Sequence, residues 1–179
     1  MSKTIIERHF KELEEAIQLT LNAKKQLPTL ILIYSSIDIL AWLNRPYTHP
    51  DVVRSDFISW IDNYLLPDSN LHCSSIDLYA ARCSIIHSYT AESKLSREGK
   101  AKQIWYAWGK GEVKRLENMI KQAKLNKIAV AVQIEELFNA LISGFVRFMN
   151  SLDADPNHAK SVYERAQKKV FTNIPHNLI

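Results

Sequence analysis

Residues 74–90 read "SSIDLYAARCSIIHSYT", and how this stretch is read decides the fold. Ser74 followed three residues later by Asp77 is the pattern of a capping box, which opens a helix and complements its dipole. No helix breaker then occurs between Ser75 and Tyr89, and most of the residues are apolar. A helix this apolar belongs inside a bundle, yet it carries Arg82 and His87. Both side chains are costly to bury without partners. Each therefore needs a neutralising contact, a surface, or a site.

Working outward, the flanks also read as helices. Ile5, Ile6, Phe10, Leu13, Ile17 and Leu21 recur every three to four residues and predict an amphipathic helix over 3–26. A second begins at Pro28 and runs through "TLILIYSSIDILAWL", apolar on most sides, until "NRPYTHP" stops it. Asp51 to Leu66 places Val53, Phe57, Trp60, Ile61, Tyr64 and Leu65 at helical spacing before Pro67-Asp68 ends it. Beyond the opening stretch, "TAESKLSREGKAK" is polar and reads as a loop. "QIWYAW" near residues 103–108 and "KIAVAVQ" near 128–133 have the β-branched and aromatic content of short strands, predicted to pair across a helix at about 112–124. Helices near 134–152 and 156–170 complete the chain. Four glycines and six prolines are too few for a turn-rich sandwich or barrel. The expectation is one mainly α domain over 1–179, a helical bundle with a small two-stranded β element.

The amino terminus is charged every few residues, and no uncharged apolar run approaches the length of a membrane span. A soluble cytoplasmic protein without membrane association is expected. Cys73 and Cys83 lie ten apart in or beside one helix, which suits neither a mutual disulfide nor a zinc site, so both read as reduced thiols. The histidines show no metal spacing, and no metal or cofactor is expected. The net charge is only +4, but from Lys94 to Lys127 ten Lys or Arg face three Glu, a balance of +7. Such a segment attracts polyanions by counterion release, and it also describes an ordinary solvated face. Lys94, Arg97, Lys100, Lys102 and Lys110 are the candidate RNA-binding residues. Trp105, Tyr106 and Trp108 beside them suit base stacking or packing against helices. "WGKGE" at 108–112 reads as a turn rather than a phosphate loop, and "DADP" at 153–156 as a helix break.

Arg82, four intervening residues, His87 and then Tyr89 form R-x4-H-x-Y, as "RCSIIHSY". Here the sequence resembles the HEPN family, helical bundles whose catalytic members are metal-independent ribonucleases carrying an Arg four to six residues before a His. The resemblance covers roughly residues 74–90. It implies that Arg82 and His87 are catalytic, with Tyr89 and Cys83 lining the site. The residue after the Arg, often a polar hydrogen-bonding one in the family, is Cys83 here. The chemistry agrees: His suits a general base near neutral pH, and the guanidinium fork suits a phosphate gathering charge. Five residues along a helix turn about 140°, so Arg82 and His87 do not share one face of one helix. The resemblance implies a solution, a homodimer whose paired helices line a shared cleft. It also implies RNA as substrate and, in the toxin-like subset, a nucleotidyltransferase antitoxin that modifies Tyr89. Two other readings stand beside it. The first is a catalytically silent HEPN-like module that binds nucleotide or RNA, or serves assembly. The second is a structural pair, with Arg82 bonded to Asp38, Asp62 or Asp77 and His87 hydrogen-bonded in the core.

Overall fold

The computed structural model describes residues 2–88, 90–109 and 112–168. Among them are eight α-helices: α1 (Ser2–Asn22), α2 (Gln26–Asn44), α3 (Arg54–Trp60), α4 (Ser75–Ser88), α5 (Lys94–Arg97), α6 (Glu112–Gln122), α7 (Ile134–Ala154) and α8 (Pro156–Lys168). Strands β1 (Gln103–Ala107) and β2 (Ala129–Gln133) pair in parallel, Gln103 opposite Ala129 through Ala107 opposite Gln133. The mainly α architecture with a small sheet across a crossover helix is the one the periodicities predict. A parallel pair requires such a crossover, which α6 supplies.

The boundaries move where local chemistry intervenes. The first helix stops at Asn22 rather than residue 26 because Lys24 takes a left-handed conformation, φ 55°, with the Lys25 N–H bonded to the Thr20 carbonyl at 2.9 Å. Pro28 does not start α2. It sits in the first turn, where its missing N–H costs no hydrogen bond. The third helix begins at Arg54, not Asp51, with the Val53 N–H donated to Asp56 Oδ2 at 2.9 Å. The expected loop at 90–102 contains one turn, α5, held by reciprocal Ser93 and Ser96 contacts.

α2 is the hub, packing against α1, α3, α4, α7 and α8. That is why it is apolar nearly all round, apolar enough by composition to cross a membrane, although half of that window is buried inside the bundle. Ile33, Tyr34 and Ile37 from α2 meet Phe57, Trp60, Leu78, Leu137 and Phe148, all with at most a few per cent exposure. Truncating any of the aromatic members costs about 3–5 kcal/mol. The end of α2 is fastened from a distance. Arg165 on α8 donates to the carbonyls of Leu43 (2.7 Å), Arg45 (2.5 Å) and Pro46 (3.1 Å), while Arg45 donates to those of Trp42, His49 and Pro50. Two cations thus satisfy the Trp42 and Leu43 carbonyls at the negative end of the helix dipole and hold the chain that follows.

After Trp60 the third helix widens into a π turn, Ile61–Leu65. Gly144 on α7 lies against it so closely that a Cβ there would sit 3.0 Å from the Tyr64 carbonyl oxygen and 3.2 Å from Leu65 Cα. Arg147, one turn on, donates its Nε–H to that same Tyr64 oxygen at 2.7 Å. The close approach and the donor together support a turn whose carbonyls are displaced from ordinary helical bonding.

Candidate functional site

The capping box at the start of α4 forms as its sequence predicts. Asp77 Oδ2 accepts from the Ser74 N–H at 2.9 Å and hydroxyl at 2.7 Å, and the Asp77 N–H reaches Ser74 Oγ at 3.4 Å. The other carboxylate oxygen accepts the Lys102 N–H at 2.6 Å, tying the approach to β1 onto α4. Asp77 is therefore occupied by the cap and is not the acid that serves Arg82.

Leu78, Ala81 and Ile85 turn one face of α4 into the core. The opposite strip, Ile76, Tyr79, Arg82, Cys83 and Ile86, is half-buried. On α2 beside it, Ile31, Ser35, Asp38 and Trp42 are also half-buried, and Ile39 is exposed. Arg82 crosses this seam: its Nε donates to Asp38 Oδ2 at 2.8 Å, and its Nη2 lies 2.8 Å from the same oxygen. The two side chains keep 24% and 27% of their surface exposed, so the pair is neither interior nor free in solvent. Nη1 lies on the remaining side, 4.0 Å from Cys83 Sγ. Burial opposes the charge on Arg82, but Asp38 and then Cys83 outweigh it and raise the pKa, so the guanidinium stays charged.

Tyr79 completes the cluster. Burial, with a hydrogen bond to Cys83, raises its hydroxyl pKa against the pull of Arg82 and Arg54. The Arg54 guanidinium lies 5.3 Å from the Tyr79 ring centroid, and Phe57 meets that ring edge-on at 5.5 Å. Two guanidiniums thus flank one half-buried tyrosine beside a thiol. Arg54 escapes sequence reading because it is 28 positions from Arg82 on another helix, with no motif of its own. The backbone of His87 lies in α4, but its side chain, Tyr89 and Lys110 are outside the described residues. Both cysteines are free thiols; burial pushes Cys73 up to about 12, which leaves it inert beside the bonded Tyr34 and Tyr106 hydroxyls.

The basic segment divides in two. Around α5 the cations are engaged: Lys94 and Lys100 with Glu98 at 3.8 and 2.7 Å, and Arg97 with Glu92 at 3.5 Å. The hydrogen bond from Lys100 holds the Glu98 carboxyl below its usual range. Lys102 on the way into β1, and Lys114, Arg115 and Lys121 on the exposed side of α6, form no ion pair with a described residue. The aromatics divide as well. Trp105 packs with Val113, Leu116 and Leu125 in a small separate core under α6, Tyr106 bonds its hydroxyl to that of Tyr34 at 2.5 Å, and Trp108 lines a cleft with Arg115 and Met119. Packing thus takes Trp105, while Tyr106 and Trp108, which also pack on the main core, both line the cleft that holds a cation.

No protein-family model, curated protein or solved structure matches the chain. A charged guanidinium is held at a half-open apolar seam, a second stands nearby, and the backbone of a histidine follows one and a half turns on.

Proposed function

We propose that the protein is a metal-independent endoribonuclease that acts as a dimer across the α2–α4 seam. One observation carries this reading. Asp38 grips Arg82 along its Nε–Nη2 edge at a partly exposed position, so Nη1, whose contact to Cys83 Sγ is a long 4.0 Å, is the edge that could turn to a phosphate oxygen. In this scheme Asp38 is a positioning residue, Arg82 the phosphate clamp and His87 the general base. His87 takes the proton from the RNA 2′-hydroxyl, whose oxygen attacks phosphorus. The bond from phosphorus to the 5′-oxygen breaks, and that oxygen leaves taking a proton from water, while the proton on His87 returns to solvent. The products are a 2′,3′-cyclic phosphate and a 5′-hydroxyl. The extra negative charge on five-coordinate phosphorus is what Arg82 stabilises. Apolar Ile31, Ile39, Trp42 and Ile86 around the pair favour a second copy as the cover, which would bring two such helices together as the motif requires. The toxin-like variant adds a nucleotidyltransferase partner acting on Tyr89, which its genomic neighbour would reveal.

A second reading is favoured by the same contact: the Asp38–Arg82 pair is complete without any ligand, as in a silent RNA- or nucleotide-binding module. Cleavage decides between them. Arg82→Ala and His87→Ala should each lower cutting of single-stranded RNA by about 10²- to 10⁴-fold, with EDTA without effect on the wild type. Asp38→Asn should lower kcat by about 10²-fold with little change in KM, since it misplaces the clamp without removing it. A wild-type protein that cuts no RNA, together with an Arg82→Ala variant that only melts earlier, would establish the silent module.

A further inference from the structure

A cleft of about 390 Å³ opens where the exposed side of α6 meets the end of β1 and the start of α2, lined by Gln26, Tyr106, Trp108, Arg115, Leu116 and Met119. Its volume is that of a small-molecule site. Its composition is selective: an indole, a thioether, a guanidinium and a carboxamide face one space. Met119 is 52% exposed, and Leu27 beside Gln26 is 40% exposed, so apolar surface is left uncovered at the mouth. One cation, Arg115, lines the cleft, and others neighbour its lining residues in sequence. Lys24 and Lys25 precede Gln26 and are exposed, as are Lys114 and Arg115, and none of the four forms an ion pair with a described residue. Two nearby acids among the described residues have partners: Glu135 accepts from the Gly109 N–H at 3.0 Å and from Gln133 at 2.8 Å, and Glu117 lies 3.4 Å from His72 Nδ1.

We propose that this cleft is a subsite for one unpaired base of single-stranded RNA, stacked on Trp108 against Met119, with its phosphate on Arg115. It rests on RNA being the ligand of the protein and adds where the strand is held. A flat aromatic face serves any base, and the guanidinium beside it takes the backbone. Arg115 in the lining and three exposed lysines beside lining residues in sequence exceed what one nucleotide's phosphate would occupy, which favours a strand running past the cleft over a free nucleotide. The Gln26 amide offers both donors and an acceptor to a base edge.

The test uses a short fluorescent oligoadenylate with 2′-O-methyl riboses, whose blocked 2′-oxygen prevents cleavage, and reads binding by anisotropy. Trp108→Leu should weaken binding about 5- to 100-fold. Arg115→Gln should reduce the slope of log K against log salt by about 0.7. Met119→Asp alters an exposed position, so it reports on the cleft even if Trp108→Leu fails to fold, and it should weaken binding in the same direction. Normal binding by folded Trp108→Leu, or by Met119→Asp, overturns the subsite. So does equal affinity for the same oligonucleotide annealed to its complement, no binding by the wild type, or full displacement by equimolar adenosine monophosphate. The two readings fall separately. A wild type that binds this oligonucleotide through Trp108 but cuts no RNA keeps the subsite and loses the nuclease; one that cuts RNA while Trp108→Leu binds normally does the reverse.

Discussion

Arg82 on α4 and Arg115 on α6 stand on helices that pack against the same strand, β1, yet the protein holds them in opposite ways. Arg82 is half-buried and fixed to one carboxylate oxygen at 2.8 Å, in a strip that is otherwise largely apolar. Arg115 is exposed, unpaired with any described acid, and rides on a helix with its own small core of Ile120, Ala129 and Ala131. A gripped guanidinium has a defined direction and suits a reacting group that must be met in one geometry. A free cation among others supplies long-range attraction and suits a flexible polyanion. The two regions are thus built for different tasks, one positional and one electrostatic.

The contrast breaks most severely at the seam. Ile39→Asp together with Ile86→Asp puts two carboxylates on the apolar strip around Arg82. If a second copy covers that strip, the protein should change in light scattering from a dimer to a particle of 20.6 kDa, and RNA cleavage should fall as far as in Arg82→Ala. A wild type already of that mass would remove the seam as an interface between copies.

A smaller effect sharpens the difference between paired and unpaired cations. Lys114→Gln and Lys121→Gln should each lower the salt slope of single-strand binding by about 0.7. Lys94→Gln, whose ammonium already lies 3.8 Å from Glu98, should lower it less. Equal slopes for all three would mean that the ion pairs around α5 do not set the cations apart.

The smallest effect is a control distant from both guanidiniums. Burial holds the His158 imidazole below the usual histidine range; Asp155 opposes this and Arg165 adds to it, while Nε2 donates to Asn44 Oδ1 at 2.9 Å. The folded protein therefore binds this proton less readily than the unfolded chain, which titrates near about 6.5. Its stabilisation is present above that pH and is lost as pH falls through it. Tm should drop between about pH 7.5 and about pH 5.5, and His158→Gln, which keeps a donor toward Asn44, should flatten the drop.

How legible the molecule is depends on the distance over which each feature is written. The cap at Ser74 and Asp77 and the strands, read near 103–108 and 128–133 and found within a residue of that, were legible directly, and so were the crossover helix and the breaks at Pro67 and Asp155. Each is decided by hydrogen bonds and side-chain periods spanning a few residues. The left-handed Lys24 and the single turn at Lys94–Arg97 were not legible, because turns in polar sequence have several near-equal solutions. The candidate site lies between these extremes. Its motif is local, but the acid facing Arg82 was one of three until the packing of α2 on α4 selected Asp38, 44 positions away.

By itself, then, the sequence determined which stretches form the long helices and the two strands, which of their faces are apolar, and that one span concentrates positive charge. Backbone bonding and burial make those properties of neighbouring residues. Only the tertiary structure decided that Asp38 grips Arg82, that Arg165 fastens the end of α2 from 120 positions away, and that Gly144 and Arg147 support the π turn. It alone separated the engaged lysines of α5 from the unpaired cations of α6. A charge does not specify its partner: helices cross at angles set by the packing of many side chains at once, and that crossing selects which distant groups meet.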